Sequence, residues 1–184
     1  MPRADWLERE YYIPGGTVLH VAIFISEILM RNAMPELVRE SADCLEKYIQ
    51  CLHRLGIDLN AGDRWGETVL CLAADYSDIA LTAQLLSLDA RVNTNTKGGR
   101  TALHASAASE GLPEIDECIL NLFISNGGNI NAVAKTNAIQ PKLLRSAYAL
   151  FGVATHKTPL DYANTDSKRK ILRDAGGKYY KELH

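Results

Sequence analysis

No run in this 184-residue sequence is both long and apolar enough to suggest a membrane-spanning helix. The longest apolar stretch, Val18 to Ile25, is short and is interrupted by His20. The first residues, Met1 to Glu10, are charged and lack the apolar centre of a secretory signal. A cytoplasmic location is the expectation, with no membrane partner. Cysteine is scarce: Cys44, Cys51, Cys71 and Cys118 are the only four, and none forms a C-x-x-C pair. That spacing fits no zinc template. Each lies in an apolar helical context, where a free thiol behaves as a small hydrophobe and favours a reducing compartment. No metal site is expected. The signatures of common chemistry are also missing, including a phosphate loop, G-x-G-x-x-G, G-x-S-x-G and H-E-x-x-H. No catalytic residues and no cofactor are expected.

Excess charge of one sign is lacking too. The net charge is −2, which excludes a strong field over the whole molecule and argues against nucleic acid as the partner. The charge is nonetheless uneven. Residues 142–184 carry nine Lys/Arg against four acids, a balance of +5, so residues 1–141 carry −7. What remains is an ordinary globular composition, 47% apolar and 23% charged, in a chain long enough for one domain with a sizeable core.

What the chain does contain is a recurring phrase. Thr101-Ala102-Leu103-His104-Ala105-Ser106-Ala107 returns as Thr17-Val18-Leu19-His20-Val21-Ala22, as Thr68-Val69-Leu70-Cys71-Leu72-Ala73 and as Thr158-Pro159-Leu160-Asp161-Tyr162-Ala163. The intervals are 51, 33 and 57 residues. A second phrase recurs as Gly56-Ile57-Asp58-Leu59-Asn60, Asp89-Ala90-Arg91-Val92-Asn93 and Gly127-Gly128-Asn129-Ile130-Asn131. Asn60 to Thr68 and Asn93 to Thr101 are both 8 residues. On these two phrases in register the sequence resembles the ankyrin-repeat family. The resemblance covers residues 15–178 apart from insertions. It implies an all-α solenoid of helix-turn-helix units joined by hairpin loops.

The residues suit such a unit. Each threonine is placed to cap an inner helix by accepting a backbone N–H, and Pro159 sits at a first helical position. The resemblance makes His20 and His104 structural, tying the turn to the backbone. Cys71 and Asp161 replace them in units two and four, so those turns are expected to be looser. Outer-helix faces are read at Tyr48, Ile49 and Leu52, at Leu81, Thr82, Leu85 and Leu86, and at Ile119, Leu120, Phe123 and Ile124. Gly56, Gly127 and, at some cost, Asp89 supply the left-handed residue after each. In the last unit lysines and arginines replace core residues, as a capping repeat facing water requires.

The spacing divides the chain into a cap at 1–16, a first repeat with an inserted extension at 17–61, repeats at 62–94 and 95–132, a helical insertion at 133–157 and a capping repeat at 158–184. Thr17 to Asn60 exceeds Thr68 to Asn93 by 18 residues, 43 against 25. This predicts a lengthened inner helix, a break near Pro35 and a lengthened outer helix to about Leu55. Thr101 to Asn131 is 5 longer, placed in the turn Ser109–Pro113. The excursion before Thr158 predicts a short helix over about Lys142–Leu150. Trp6, Leu7, Tyr11 and Tyr12 are expected to cover the open end of the stack.

The resemblance implies a non-catalytic protein–protein interaction module, monomeric when free. It places the contact surface on hairpin tips and exposed inner-helix sides: Arg64, Trp65, Glu67, Asp75, Tyr76, Lys97, Arg100 and Ser109. Arg64, Trp65 and Tyr76 have the composition of an interface hot spot. A bacterial immunity protein plugging a toxin and an injected effector are its two narrower forms, and an acidic surface suits a basic toxin. The alternative is an enzyme or small-molecule site in the groove beside 133–157.

Overall fold

The computed structural model describes residues 16–32, 35–135 and 156–183. The expected N-terminal aromatic cover and the helix over 142–150 lie outside the described residues. Helices come in pairs along the chain. They are α1 (Val18–Asn32) with α2 (Pro35–Arg54), α3 (Val69–Asp75) with α4 (Ile79–Ser87), α5 (Ala102–Ala108) with α6 (Pro113–Ser125), and α7 (Pro159–Tyr162) with α8 (Asp166–Asp174). A 3-10 turn, Tyr180–Glu182, follows. The inner helices α1, α3, α5 and α7 pack in sequence, and α4, α6 and α8 form the outer layer behind them.

Periodicity decides which faces are buried. Alanine and leucine fill the inner helices, so Leu70, Leu72, Ala73, Ala74, Leu103, Ala105 and Ala107 are all buried and adjacent helices approach closely. Outer helices contribute Ile49 and Leu52, Leu81 and Leu85, and Ile119, Leu120 and Phe123. Tyr48, by contrast, is exposed. Each outer helix ends on a left-handed residue: Gly56 (φ 79°), Asp89 (φ 63°), Gly127 (φ 77°) and Gly176 (φ 92°). Asp89 is the one of these with a Cβ, and a short polar side chain tolerates that conformation best.

The first pair holds the additional length, with 15 and 20 residues in α1 and α2 against 7 and 9 in α3 and α4. In the third unit the extra residues are not confined to the turn. α6 has 13 residues against 9 in α4 and so takes up four of the five. Pro113 is the reason, because a proline at a first helical position extends a helix at its N-terminus without losing a bond.

Side-chain amides of the second phrase bridge successive units. Asn60 Oδ1 accepts from Arg91 N (2.7 Å), Asn93 Oδ1 from Asn129 N (2.7 Å) and Asn131 Oδ1 from Lys178 N (2.8 Å). One asparagine per repeat therefore satisfies a backbone donor of the next turn, which would otherwise lack a partner.

Histidine closes two of the inner-helix caps. Thr101 N donates to His104 Nδ1 (3.2 Å), and Thr17 N to His20 Nδ1 (3.2 Å). A backbone N–H is always the donor, so Nδ1 carries no proton and the proton is assigned to Nε2. Nε2 then donates onward, from His20 to Glu67 O (2.7 Å) and from His104 to Lys157 O (3.3 Å). Each ring thus joins its own cap to the following hairpin. Protonating Nδ1 would set N–H against N–H. Burial in addition pulls His20 below the ordinary histidine value and His104 down to about 4.

The folded value of His104 is thus depressed relative to 6.5 in the unfolded chain, and the unfolded state binds more protons between the two. His104 contributes on the order of 3 kcal/mol that is fully present above the unfolded value and lost as pH falls toward the folded one. Urea midpoints measured from pH 7 down to pH 4.5 are expected to fall steadily. His104→Gln should be less stable at pH 7 and show a shallower slope. An unchanged slope would remove His104 from this role.

The two substituted units both keep a hydrogen bond at the cap, but only the fourth replaces the bond that histidine makes beyond it. In the fourth, Asp161 Oδ2 accepts from Thr158 N (2.9 Å), Thr158 Oγ1 (2.9 Å) and Tyr180 N (2.8 Å). A carboxylate accepts as imidazole does at this cap, and it adds a bond to the terminal turn. In the second, Cys71 N donates to Thr68 Oγ1 (3.4 Å). The thiol is too short to reach the next hairpin. Burial pushes it up to about 11, so it stays protonated and inert. An ion cluster described below joins units two and three instead.

Candidate functional site: the hairpin row and the inner-helix ends

Three hairpins follow one another along one edge of the stack. In the first, buried Asp63 accepts from Trp65 N (2.9 Å) and Glu67 N (2.8 Å), while Asp63 N donates to Glu67 O (2.9 Å). In the second, Thr96 takes the place of Asp63: its N donates to Arg100 O (2.8 Å) and its Oγ1 accepts from Arg100 N (3.0 Å). In the third, β1 (Ala134–Lys135) pairs antiparallel with β2 (His156–Lys157), Ala134 opposite Lys157. The hairpins are joined across units by Lys97 N to Trp65 O (2.9 Å) and Lys135 N to Gly98 O (2.7 Å). This contact requires glycine at position 99, where an added Cβ would lie 2.5 Å from Val133 O.

Arg64 and Trp65 occupy the first tip. Arg64 is exposed, and its guanidinium lies 5.6 Å from the centre of the half-buried Trp65 ring. Lys97 is exposed on the second tip. Tyr76 is half-buried at the end of α3, where its N–H caps the helix and its ring packs against the core.

Four of the eight positions expected on the contact surface use their polar groups inside the molecule. Arg100 is 7% exposed and donates to Glu67 Oε1 (2.7 Å) and to both carboxylate oxygens of Asp75. Burial alone would lower its proton affinity, but the Asp75 charge, reinforced by Glu67, holds it above the ordinary arginine value. Arg100 immediately precedes Thr101, so its side chain reaches under the hairpins to the end of α3 rather than out to solvent. Ser109 is buried as well. Its hydroxyl donates to Ser106 O (2.7 Å), and its oxygens accept from Lys168 Nζ (2.7 and 3.1 Å).

That lysine is the exception to the expectation that the last unit's cations face water: Lys170 and Arg173 are exposed, and Lys168 is not. Lys168 is 1% exposed and Asp116 2% exposed, with Nζ 2.8 Å from Oδ2. The Ser77 hydroxyl and Gly111 N also donate to Asp116. Lys168 lies one helical turn before Leu172, as Leu81 does before Leu85 and Ile119 before Phe123. A core position therefore carries an amphipathic side chain, whose stem packs with the core while its head finds a buried carboxylate.

Among the described residues no group of three or more His, Cys, Asp or Glu is placed to hold a metal ion, and no helix is long and apolar enough to cross a membrane. An open groove of about 520 Å³ lies between α2 and α4, lined by Leu45, Glu46, Leu81 and Gln84 among others. The groove expected beside 133–157 rests on residues outside those described.

Stacked helix-turn-helix units with bridged hairpins define a helical repeat solenoid. A family model described as ankyrin repeats (3 copies) matches residues 29–134, and the chain belongs to the ankyrin-repeat family. In solved structures, 226 chains match. One is a crystal structure of an ankyrin repeat domain from Acinetobacter baumannii AYE, 24% identical, with a TM-score of 0.54. The match covers 74% of this chain and 62% of that one, so this chain spans less than two thirds of its relative's length. That likeness shows the fold. No curated protein matches the sequence. Ankyrin repeats are generally non-catalytic protein–protein interaction modules.

Proposed function

We propose that this chain is a non-catalytic module that binds a protein partner through its hairpin tips and the adjoining inner-helix ends. One observation carries it: Arg64 lies over the face of Trp65 at a hairpin tip, with the ring only half-buried. Tryptophan and arginine are the side chains that most often dominate interface energetics. Lys97 on the next tip and the half-buried Tyr76 extend the surface. Glu67, Asp75 and Arg100 support it from beneath, while Ser109 serves the buried Lys168 instead. An inhibitor that occupies a toxin and an effector that occupies a host protein differ here only in the partner.

Affinity capture from the native cell, with wild type and Trp65→Ala side by side, tests this. The protein captured by wild type should bind Trp65→Ala at least about 30-fold more weakly, a hot-spot loss of about 2 kcal/mol. Helical circular dichroism should be unchanged. Equal affinity for both would place the contact elsewhere on the molecule.

A further inference from the structure

The three hairpins share one register. Asp63 N bonds to Glu67 O, Thr96 N bonds to Arg100 O, and Ala134 pairs with Lys157. The next residue in each hairpin takes the same place beside the unit before it, since Lys97 N donates to Trp65 O and Lys135 N to Gly98 O: Arg64 and Lys97 stand on turns, and Lys135 on β1 opposite His156. All three are basic and all three are exposed. Arg64 lies over Trp65, and among the described residues neither Lys97 nor Lys135 has an ion-pair partner. Successive hairpins are joined directly by backbone hydrogen bonds, so the cations form one column along the edge. The acidic residues of the same edge do not offset it. Asp63 is buried on backbone amides, and Glu67 and Asp75 are held by Arg100. The acidic balance of residues 1–141 thus does not extend to the tips.

Stacked helices sit about 8–10 Å apart, close to the screening length of about 8 Å at physiological salt. Like charges at that spacing repel each other, and nothing within the described structure compensates them. Three cations in one column make a narrow anion-binding strip, much smaller than the basic surface nucleic acid requires. An extended polyproline-II segment advances about 9 Å per three-residue turn. A carboxylate at every third position would then meet one tip after another.

We propose that the partner presents an extended acidic segment, with carboxylates about three residues apart, to the Arg64–Lys97–Lys135 column. This rests on the interaction surface proposed above and names the chemistry of its partner. The docked segment would lie along the tips, its carboxylates pairing with the column and its backbone passing Trp65.

Fluorescence anisotropy with a labelled Glu-Pro-Pro-Glu-Pro-Pro-Glu-Pro-Pro-Glu peptide tests the proposal, with the Gln-for-Glu peptide and polyuridylate as comparisons. The Glu peptide should bind, more weakly as salt rises, and the Gln peptide at least about tenfold more weakly. Lys97→Glu/Lys135→Glu should weaken the Glu peptide by a similar factor. Lys47→Glu/Lys170→Glu, which changes net charge equally on exposed positions away from the tips, should not. Equal binding of both peptides, no binding at millimolar peptide, or an unaffected Lys97→Glu/Lys135→Glu variant would overturn it. Tighter binding of polyuridylate than of the peptide would overturn it in favour of nucleic acid. A captured protein that Trp65→Ala loses but Lys97→Glu/Lys135→Glu retains would overturn the acidic segment and leave the binding module standing.

Discussion

Lys168→Met is expected to destabilise the protein by about 3–5 kcal/mol, although methionine is apolar and nearly the same length. The wild-type ammonium is 1% exposed and meets a carboxylate that is 2% exposed. Taking both ions out of water is costly, so the pair adds little net stability relative to an apolar pair. Removing one member, however, leaves the Asp116 charge buried with only the Ser77 hydroxyl and Gly111 N–H to hold it. The double variant Lys168→Met/Asp116→Leu should therefore be more stable than the single one, even though Ser77 and Gly111 lose an acceptor. Urea unfolding of the three proteins at pH 7 checks the order. A single variant as stable as wild type would show that the buried charge is not what matters at this site. The pair connects α8 to α6 and, through Ser77, to the turn between α3 and α4. Its loss should loosen the C-terminal unit first, visible as earlier amide exchange in α7 and α8.

Arg100→Met should have an effect of similar size, about 3–5 kcal/mol, for a different reason. Here one cation holds two anions, Glu67 at 2.7 Å and Asp75 at 2.5 Å, with side-chain exposures of only 14% and 13%. Without the guanidinium the two carboxylates remain as like charges with little access to water. Arg100→Lys should recover little, because an ammonium cannot bond both Asp75 oxygens and Glu67 at once. Adding Glu67→Gln and Asp75→Asn to Arg100→Met should recover more than Arg100→Lys does. The opposite order would mean that packing of the arginine stem, not charge, holds units two and three together. This cluster also stands where Cys71 breaks the histidine bridge, so its loss leaves that junction without either device.

Much of this was legible in the chain. The Thr-x-Leu-His phrase fixed where inner helices begin, since Thr17, Thr68, Thr101 and Thr158 each precede one. The Asn phrase marked where outer helices end, because the left-handed turn at Gly56, Asp89 and Gly127 is a local property of backbone and side chain. The long first pair followed from counting residues between two landmarks. Such features rest on neighbours in sequence, and sequence order displays them.

The polar side chains were another matter. Arg100 and Ser109 stand at positions that face outward in the general plan, and Lys168 reads as a solvated cation. Each is buried because a partner from another repeat, at Asp75, at Asp116 or at Lys168 itself, lies within reach only once the units are stacked. Lys135 shows the same limit from the other side. Counting four residues back from Thr68 and Thr101 gives Arg64 and Lys97, but four back from Thr158 gives Ala154. The strand pairing of Ala134 with Lys157 spans the long excursion and sets Lys135 in the column. By itself, then, the sequence determined the repeat, its register and its helices, through local hydrogen bonding and periodic burial. Which charges are spent holding repeats together, and which stand free at the tips, was decided by tertiary contact, because a charge's role depends on what lies beside it in space.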